Sequence, residues 1–166
     1  ENWQESPFQG DSCIRCELNA SERGTAGFLF LNGYLDRESG FGRLNDGLTK
    51  GQGCSLTGAK TLTFCARGEK GGEKIRFFMA GFGYPGESEE PNVPFPDSNR
   101  RISLGTVTLG KEWQVFRLSL LGVNLESIAC GFGYLGESDA VFYLDEIRFE
   151  GDFSLSPSFY PLLGSY

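Results

Sequence analysis

KTLTFCARGEKGGEKIRFFMAGFG, running from Lys60 to Gly83, reads as two β-strands with a turn between them. Thr61 to Ala66 alternates, placing Leu62, Phe64 and Ala66 on one face, and a second run starts at Ile75. Side chains of a strand point to opposite faces in turn, so this spacing is that of a pleated surface buried on one side. The link RGEKGGEK carries three glycines and five charges. It suits a solvent-exposed turn and neither a core nor a ladder, and the unit is expected to be a hairpin at the centre of an all-β domain.

Outward from that unit the chain keeps the same character. SCIRCELNA from Ser12 predicts a strand with Ile14, Cys16 and Leu18 inward and Cys13, Arg15 and Glu17 outward; Thr25 to Leu31 predicts another. Asn32 to Gly58 and Pro85 to Arg100 are long glycine- or proline-rich connections, of a length usually reserved for function or motion. Ile102 to Leu109 and Trp113 to Leu120 flank a tight Gly110-Lys111 turn and are expected to form a second hairpin. Ser127 to Tyr134 and Ala140 to Glu150 supply two more strands. The last, AVFYLDEIRFE, is apolar on both faces and belongs in the middle of a sheet. The expected organisation is an arm over residues 1–11, a β-sandwich over 12–151 and an apolar tail over 152–166.

Bulk properties narrow the function. A chain of 166 residues with 24 glycines and no long 3.6-period run is one all-β domain with a real core. Its 15 basic and 22 acidic side chains leave a net charge of −7, the wrong sign for nucleic acid. No apolar run reaches membrane-spanning length. A first residue of Glu instead of Met, together with five cysteines, fits a processed product of an oxidising, extracellular compartment. Cys13–Cys54 and Cys65–Cys130 are the expected disulfides, with Cys16 left as a buried thiol, although spacing alone does not fix connectivity.

GFGYPGES at Gly81 to Ser88 recurs as GFGYLGES at Gly131 to Ser138. Each copy matches the glycine fingerprint of dinucleotide sites, which requires a helix N-terminus facing the pyrophosphate. Pro85 follows the glycines of the first copy, a strand follows the second, and Glu87, Glu89 and Glu90 would repel phosphate. The repeat reads better as glycines on one face, allowing close approach, and the pairs Phe82/Tyr84 and Phe132/Tyr134 on the other. With Ile102 to Leu109 as a separate strand, strict antiparallel alternation sends the two GES loops to opposite ends, and the repeat then forms no composite site.

The strings GAKTLTFCARGEKGGEKIRFFMAGFG, PFPDS, TVTLGKEWQVFRLSL, IACGFGY and VFYLDEIRF together resemble secreted bacterial β-sandwich domains similar to carbohydrate-binding modules of the galactose-binding-like jelly-roll type. The resemblance spans roughly Ser12 to Gly151, and its most specific parts are A-R-G-x-x-G-G-E and Y-L-D-E-I. It implies a two-sheet antiparallel jelly roll without catalysis, acting on polysaccharide. It also implies a structural calcium near the first and last strands, with Glu17 and Asp145 as ligands by position. One departure is that Cys65 stands where the family has Trp before A-R-G, which removes an aromatic of the kind that stacks on sugar.

Three functions follow. As a glycan binder the chain offers Phe28, Phe30, Tyr34, Phe41, Tyr84 and Tyr134 for stacking, although strand aromatics such as Phe28 and Phe30 serve a core equally well. As a self-assembling subunit of an extracellular filament or matrix it offers its tail, where Phe153, Leu155, Phe159, Tyr160, Leu162, Leu163 and Tyr166 could dock on a neighbouring copy. As an enzyme it has little to offer. Without histidine there is no Ser-His or Cys-His system, and Glu87 with Glu137, the available carboxylate pair, reads as solvated loop charge. The single C-x-x-C at Cys13 supplies two thiolates on opposite strand faces and no complete zinc shell.

Overall fold

The computed structural model describes residues 2–20, 24–36, 39–86 and 92–152. Alternating sequence produces strand throughout and there is no helix among the described residues, so none is long and apolar enough to cross a membrane. The strands are β1 (Asn2–Trp3), β2 (Cys13–Leu18), β3 (Ala26–Leu31), β4 (Gly33–Leu35), β5 (Gly42–Leu44), β6 (Ala59–Gly68), β7 (Lys74–Met79), β8 (Ile102–Thr108), β9 (Gln114–Ser119), β10 (Cys130–Gly136) and β11 (Ala140–Gly151). They form an all-β, two-sheet antiparallel sandwich. One sheet has the order β1-β2-β11-β6-β9, the other β3-β10-β7-β8, and β4 with β5 makes a separate small ribbon.

The core lies between the sheets. Leu62, Phe64 and Ala66 of β6 face Ile75, Phe77 and Met79 of β7, all buried. The Phe64 and Phe77 rings lie 4.7 Å apart across the interface. Such a pair stabilises by about 0.5–1.5 kcal/mol beyond the area it buries. These contacts correct the expected hairpin: β6 pairs with β11 and β9, β7 with β10 and β8, and none of the ladders joins β6 to β7. The RGEKGGEK link is an arch between sheets. The Gly110-Lys111 turn is another, since β8 and β9 also lie in different sheets. The two arches sit side by side, with the Gly68 amide donating to the Gly110 carbonyl at 2.7 Å and Leu109 to Glu73 at 2.8 Å.

β11 occupies the centre of its five-stranded sheet, as its apolar run requires. The pattern has a second cause. Phe142 and Leu144 face the core on even positions, then Glu146 takes a φ of +50° and the register with β6 shifts between Asp145 and Arg148. After this bulge the odd positions Ile147 and Phe149 turn inward.

All five cysteines are buried and free. Cys65 points away from Phe64 and the core, on the outer face of its sheet, while Cys130 lies in a cluster with Phe78, Phe82 and Ala129 outside the other sheet. Stacked sheets are ~10 Å apart, beyond the reach of a disulfide, so Cys65 and Cys130 cannot pair. Cys13 sits beside Asp145 and Arg67, and Cys54 beside Asn32 on a bridge to Ile128. They share no neighbourhood, and neither expected pairing is formed. Cys13 does face outward, but the N-terminal arm buries it through Trp3, its partner in the β1–β2 ladder.

Candidate functional site

Each sheet has an outer face, and the two faces have different fates. On the five-stranded sheet the register aligns Arg15, Tyr143 and Arg67 across β2, β11 and β6. Arg15 lies over Trp3, and Arg67 lies 3.9 Å from the centre of the Tyr143 ring and 5.3 Å from that of Trp113. The Tyr143 hydroxyl donates to Glu69. The arm crosses this row. The Phe8 and Gln9 amides donate to Asp145 at 2.8 and 3.1 Å, Trp113 donates its indole N–H to the Ser6 carbonyl, and the Phe8 ring meets Trp113 edge-on. Both tryptophans of the chain are thus committed to closing a face.

On the four-stranded sheet, alternation in KIRFFM turns Lys74, Arg76 and Phe78 outward, and β10 contributes Gly133 and Leu135. Half of this face is sealed. Phe78 is covered by Phe82, Ala129, Cys130, Leu29 and Leu31, and the Arg101 guanidinium stands 4.4 Å from its ring centre. Asp97 holds the seal, its buried carboxylate accepting from the amides of Phe82, Ala129 and Cys130. The other half is open and forms a cleft of about 320 Å³. Leu135 and Gly136 give it an apolar floor, Thr25, Thr106 and Ser138 give it hydroxyls, and Lys74, Arg76 and Glu137 give it charge. Two glycines beside the cleft are close-packed: a Cβ on Gly27 would come within 2.4 Å of Leu135, and one on Gly133, in the sealed half, within 2.7 Å of the Phe78 ring. Arg76 and Glu137 approach at 3.8 Å, with side chains 40% and 80% exposed, a loose ion pair that a ligand can reorganise at little cost.

The residues expected to stack on sugar do not converge here. Tyr134 points into the core, where its ring meets Phe142 edge-on and its hydroxyl is hydrogen-bonded to the Cys16 thiol; with 6% exposure it has no face to offer. Phe30 packs against the same core and Phe28, half-exposed, stacks on Tyr134 at the sandwich edge. Tyr34 lies on β4, and Phe41, just before β5, is open to solvent. Tyr84 lines a second, more open cleft with Pro85, Gly86, Asn99 and Arg100 at the opposite end of the sheet from the first. The two copies of the repeat start side by side, with the Ala80 amide donating to the Cys130 carbonyl at 2.8 Å and Phe82 packed in one cluster with Cys130, while Glu87 and Ser88 of the first copy lie outside the described residues; the copies also differ in conformation. Gly131 to Tyr134 is strand, while Gly81 and Gly83 adopt φ of +87° and +64° in a turn.

The calcium expectation does not fit these side chains. Asp145 spends its oxygens on the amides of Phe8, Gln9 and Glu146. Glu17 pairs with Arg15 at 3.0 Å and stands opposite Val141, four positions along β11 from Asp145, hence about 13 Å away. No group of three or more potential ligands gathers among the described residues. Glu87 and the tail residues Phe153, Leu155, Phe159, Tyr160, Leu162, Leu163 and Tyr166 lie outside the described residues. Glu137 is the one carboxylate lining the cleft among them. Lys74, Arg76 and Thr106 were not singled out from sequence, although the alternation of KIRFFM already placed the first two on one face.

No protein-family model matches the chain, and no curated protein matches it. Among solved structures, two described as a crystal structure of a family 30 carbohydrate-binding module are similar to it. One is 13% identical with a TM-score of 0.56, covering 93% of this chain and 74% of that one. The other is 12% identical with a TM-score of 0.58, covering 92% and 83%. The fold is carbohydrate-binding-module-like. At these identities the likeness is one of architecture, and the cleft has to be argued from its own residues.

Proposed function

We propose that this chain binds carbohydrate without transforming it, and does so in the cleft on the outer face of the four-stranded sheet. The observation that carries the reading is the division of the two outer faces. One is closed by the arm together with Trp113, while the other keeps an open trough floored by Leu135 and Gly136 and rimmed with hydroxyls and charged groups. A low floor admits a chain of sugar rings, and rim donors and acceptors can satisfy hydroxyls that a purely apolar groove would leave unpaired. An extracellular setting, where polysaccharides are met, belongs to the same reading. Glycan-array screening followed by calorimetry on the wild type and on Thr106→Trp tests it. Thr106 is exposed, so a ring there fills the trough without disturbing the core. Binding should fall at least tenfold with an unchanged melting temperature; undiminished binding would place the site elsewhere.

Self-assembly is a second reading, supported by one feature. Phe41, Leu44 and Leu48 are 72%, 60% and 62% exposed, on segments leading to the end of the sandwich where Asp152 hydrogen-bonds to Gly58 and the chain continues into its apolar tail. Light scattering across a concentration series, with and without residues 153–166, separates an assembling subunit from a monomeric binder.

A further inference from the structure

We infer that the cleft takes an acidic saccharide, one bearing carboxylate or sulfate groups, a specificity that rests on the carbohydrate reading above. Among the described residues the lining holds no aromatic ring, and its apolar surface is Leu135 and Gly136. Stacking, the usual way to hold a neutral sugar face, is therefore not on offer, and recognition falls to hydrogen bonds and charge. Lys74 and Arg76 are two residues apart on β7, so both project from the same face of the sheet into the same trough. Arg76 presents a planar fork suited to two oxygens of one anion, and Lys74 adds a mobile point charge. Against these two cations the described residues of the lining supply one carboxylate, Glu137. The cleft is thus cationic on a chain of net charge −7, a contrast that steers an anionic polymer to this face and away from the rest of the surface. Glu73, next to Lys74 in the chain, is turned away and accepts from the Lys70 amide in the arch, and Asp139, which follows Ser138, is not among the lining residues.

Glu137 makes the proposal testable by sign. Its carboxylate occupies Arg76 at 3.8 Å and competes with an incoming anion. Affinity electrophoresis of the intact chain through gels containing polygalacturonate, dextran sulfate or unmodified dextran supplies the readout. Retardation is expected with one or both anionic polymers and not with dextran, weakening as salt rises; which anionic polymer acts tells carboxylate from sulfate. Lys74→Gln with Arg76→Gln should reduce that retardation at least tenfold, and Glu137→Gln should strengthen it severalfold. All three positions are partly or fully exposed, and circular dichroism melts confirm that the variants fold. Retardation by neutral dextran that Thr106→Trp abolishes would leave carbohydrate binding standing and overturn the acidic specificity. Retardation by anionic polymers untouched by the double substitution, or weakened by Glu137→Gln, would overturn it too. Absence of binding to every glycan tested, here and on an array, would sink both readings together.

Discussion

At the scale of single residues, the buried thiols carry the most consequence. Cys16 is 3% exposed, and burial pushes its thiol up to about 11 from an ordinary 9.0; the Tyr134 hydroxyl it meets across the core is raised as well, chiefly by burial. Burial also raises Cys13, Cys54 and Cys65. In each case the native state holds its proton more tightly than the unfolded chain does. Above pH 9 the unfolded state therefore binds fewer protons than the native one, and stability falls as pH rises. The contribution of Cys16 is fully present below pH 9 and is lost between 9 and about 11, at about 1.4 kcal/mol per pH unit for one group. Melting temperatures measured from pH 8 to 11 should drop steeply over that window, and Cys16→Val, which keeps the volume and removes the proton, should flatten the drop. A variant whose alkaline limb parallels that of the wild type would show that Cys16 ionisation is not involved. The reading of Cys16 as a buried thiol came directly from its inward position in CIRCEL. The pairing proposed for the other four failed because sequence alternation tells which face a cysteine takes, not which sheet's face that is.

At the scale of elements, the same ambiguity governs the strands. A period of two identifies β6 and β7 and fixes their buried residues, but a hairpin and an arch between stacked sheets give identical alternation on either side of a polar glycine-rich link. What decides between them is the far partner: β6 has β11 and β9 available, and Phe64 needs Phe77 opposite it across the core, not beside it. The repeated GFGY shows how far local sequence underdetermines conformation. Gly131 lies in extended strand, and a Cβ there would meet only the Phe149 ring at 3.9 Å. Gly81, its counterpart, has a φ of +87°, and its Cβ would come within 2.8 Å of the Arg101 backbone. Alanine should therefore be tolerated at one position and damaging at the other. Gly131→Ala should stay within ~0.5 kcal/mol of the wild type, whereas Gly81→Ala should lose about 2–4 kcal/mol from strain and backbone displacement. Urea unfolding of the two variants measures the difference directly, and equal losses would mean that the two copies share one conformation after all.

At the scale of the whole molecule, the sandwich is asymmetric, and its N-terminal arm is what makes it so. The arm could be read from sequence only as a polar stretch with two anchors, Trp3 and Phe8, because the surface it clings to is assembled from residues 15, 67, 113, 143 and 145, brought together by register across three strands and by the residue that leads into β9. The cleft was hidden for the same reason: Thr25, Arg76, Thr106 and Glu137 come from different parts of the chain, and no local pattern links them. If the arm is a lid and not a decoration, a chain lacking residues 1–10 loses the β1 ladder, three hydrogen bonds and the Phe8–Trp113 contact. The expected cost is about 2–4 kcal/mol, small enough to leave the sandwich folded. The decisive change is chemical. Cys13, 4% exposed beneath the arm, should become the first thiol to react with iodoacetamide, while Cys16, on the core side of the same strand, stays protected until global unfolding. Peptide mass mapping after brief alkylation distinguishes the two. Labelling of Cys16 ahead of Cys13 would mean that removing the arm had opened the core itself, and labelling of neither would mean that the arm covers nothing. Glycan binding should be unchanged in the shortened chain, since the open cleft lies on the opposite sheet.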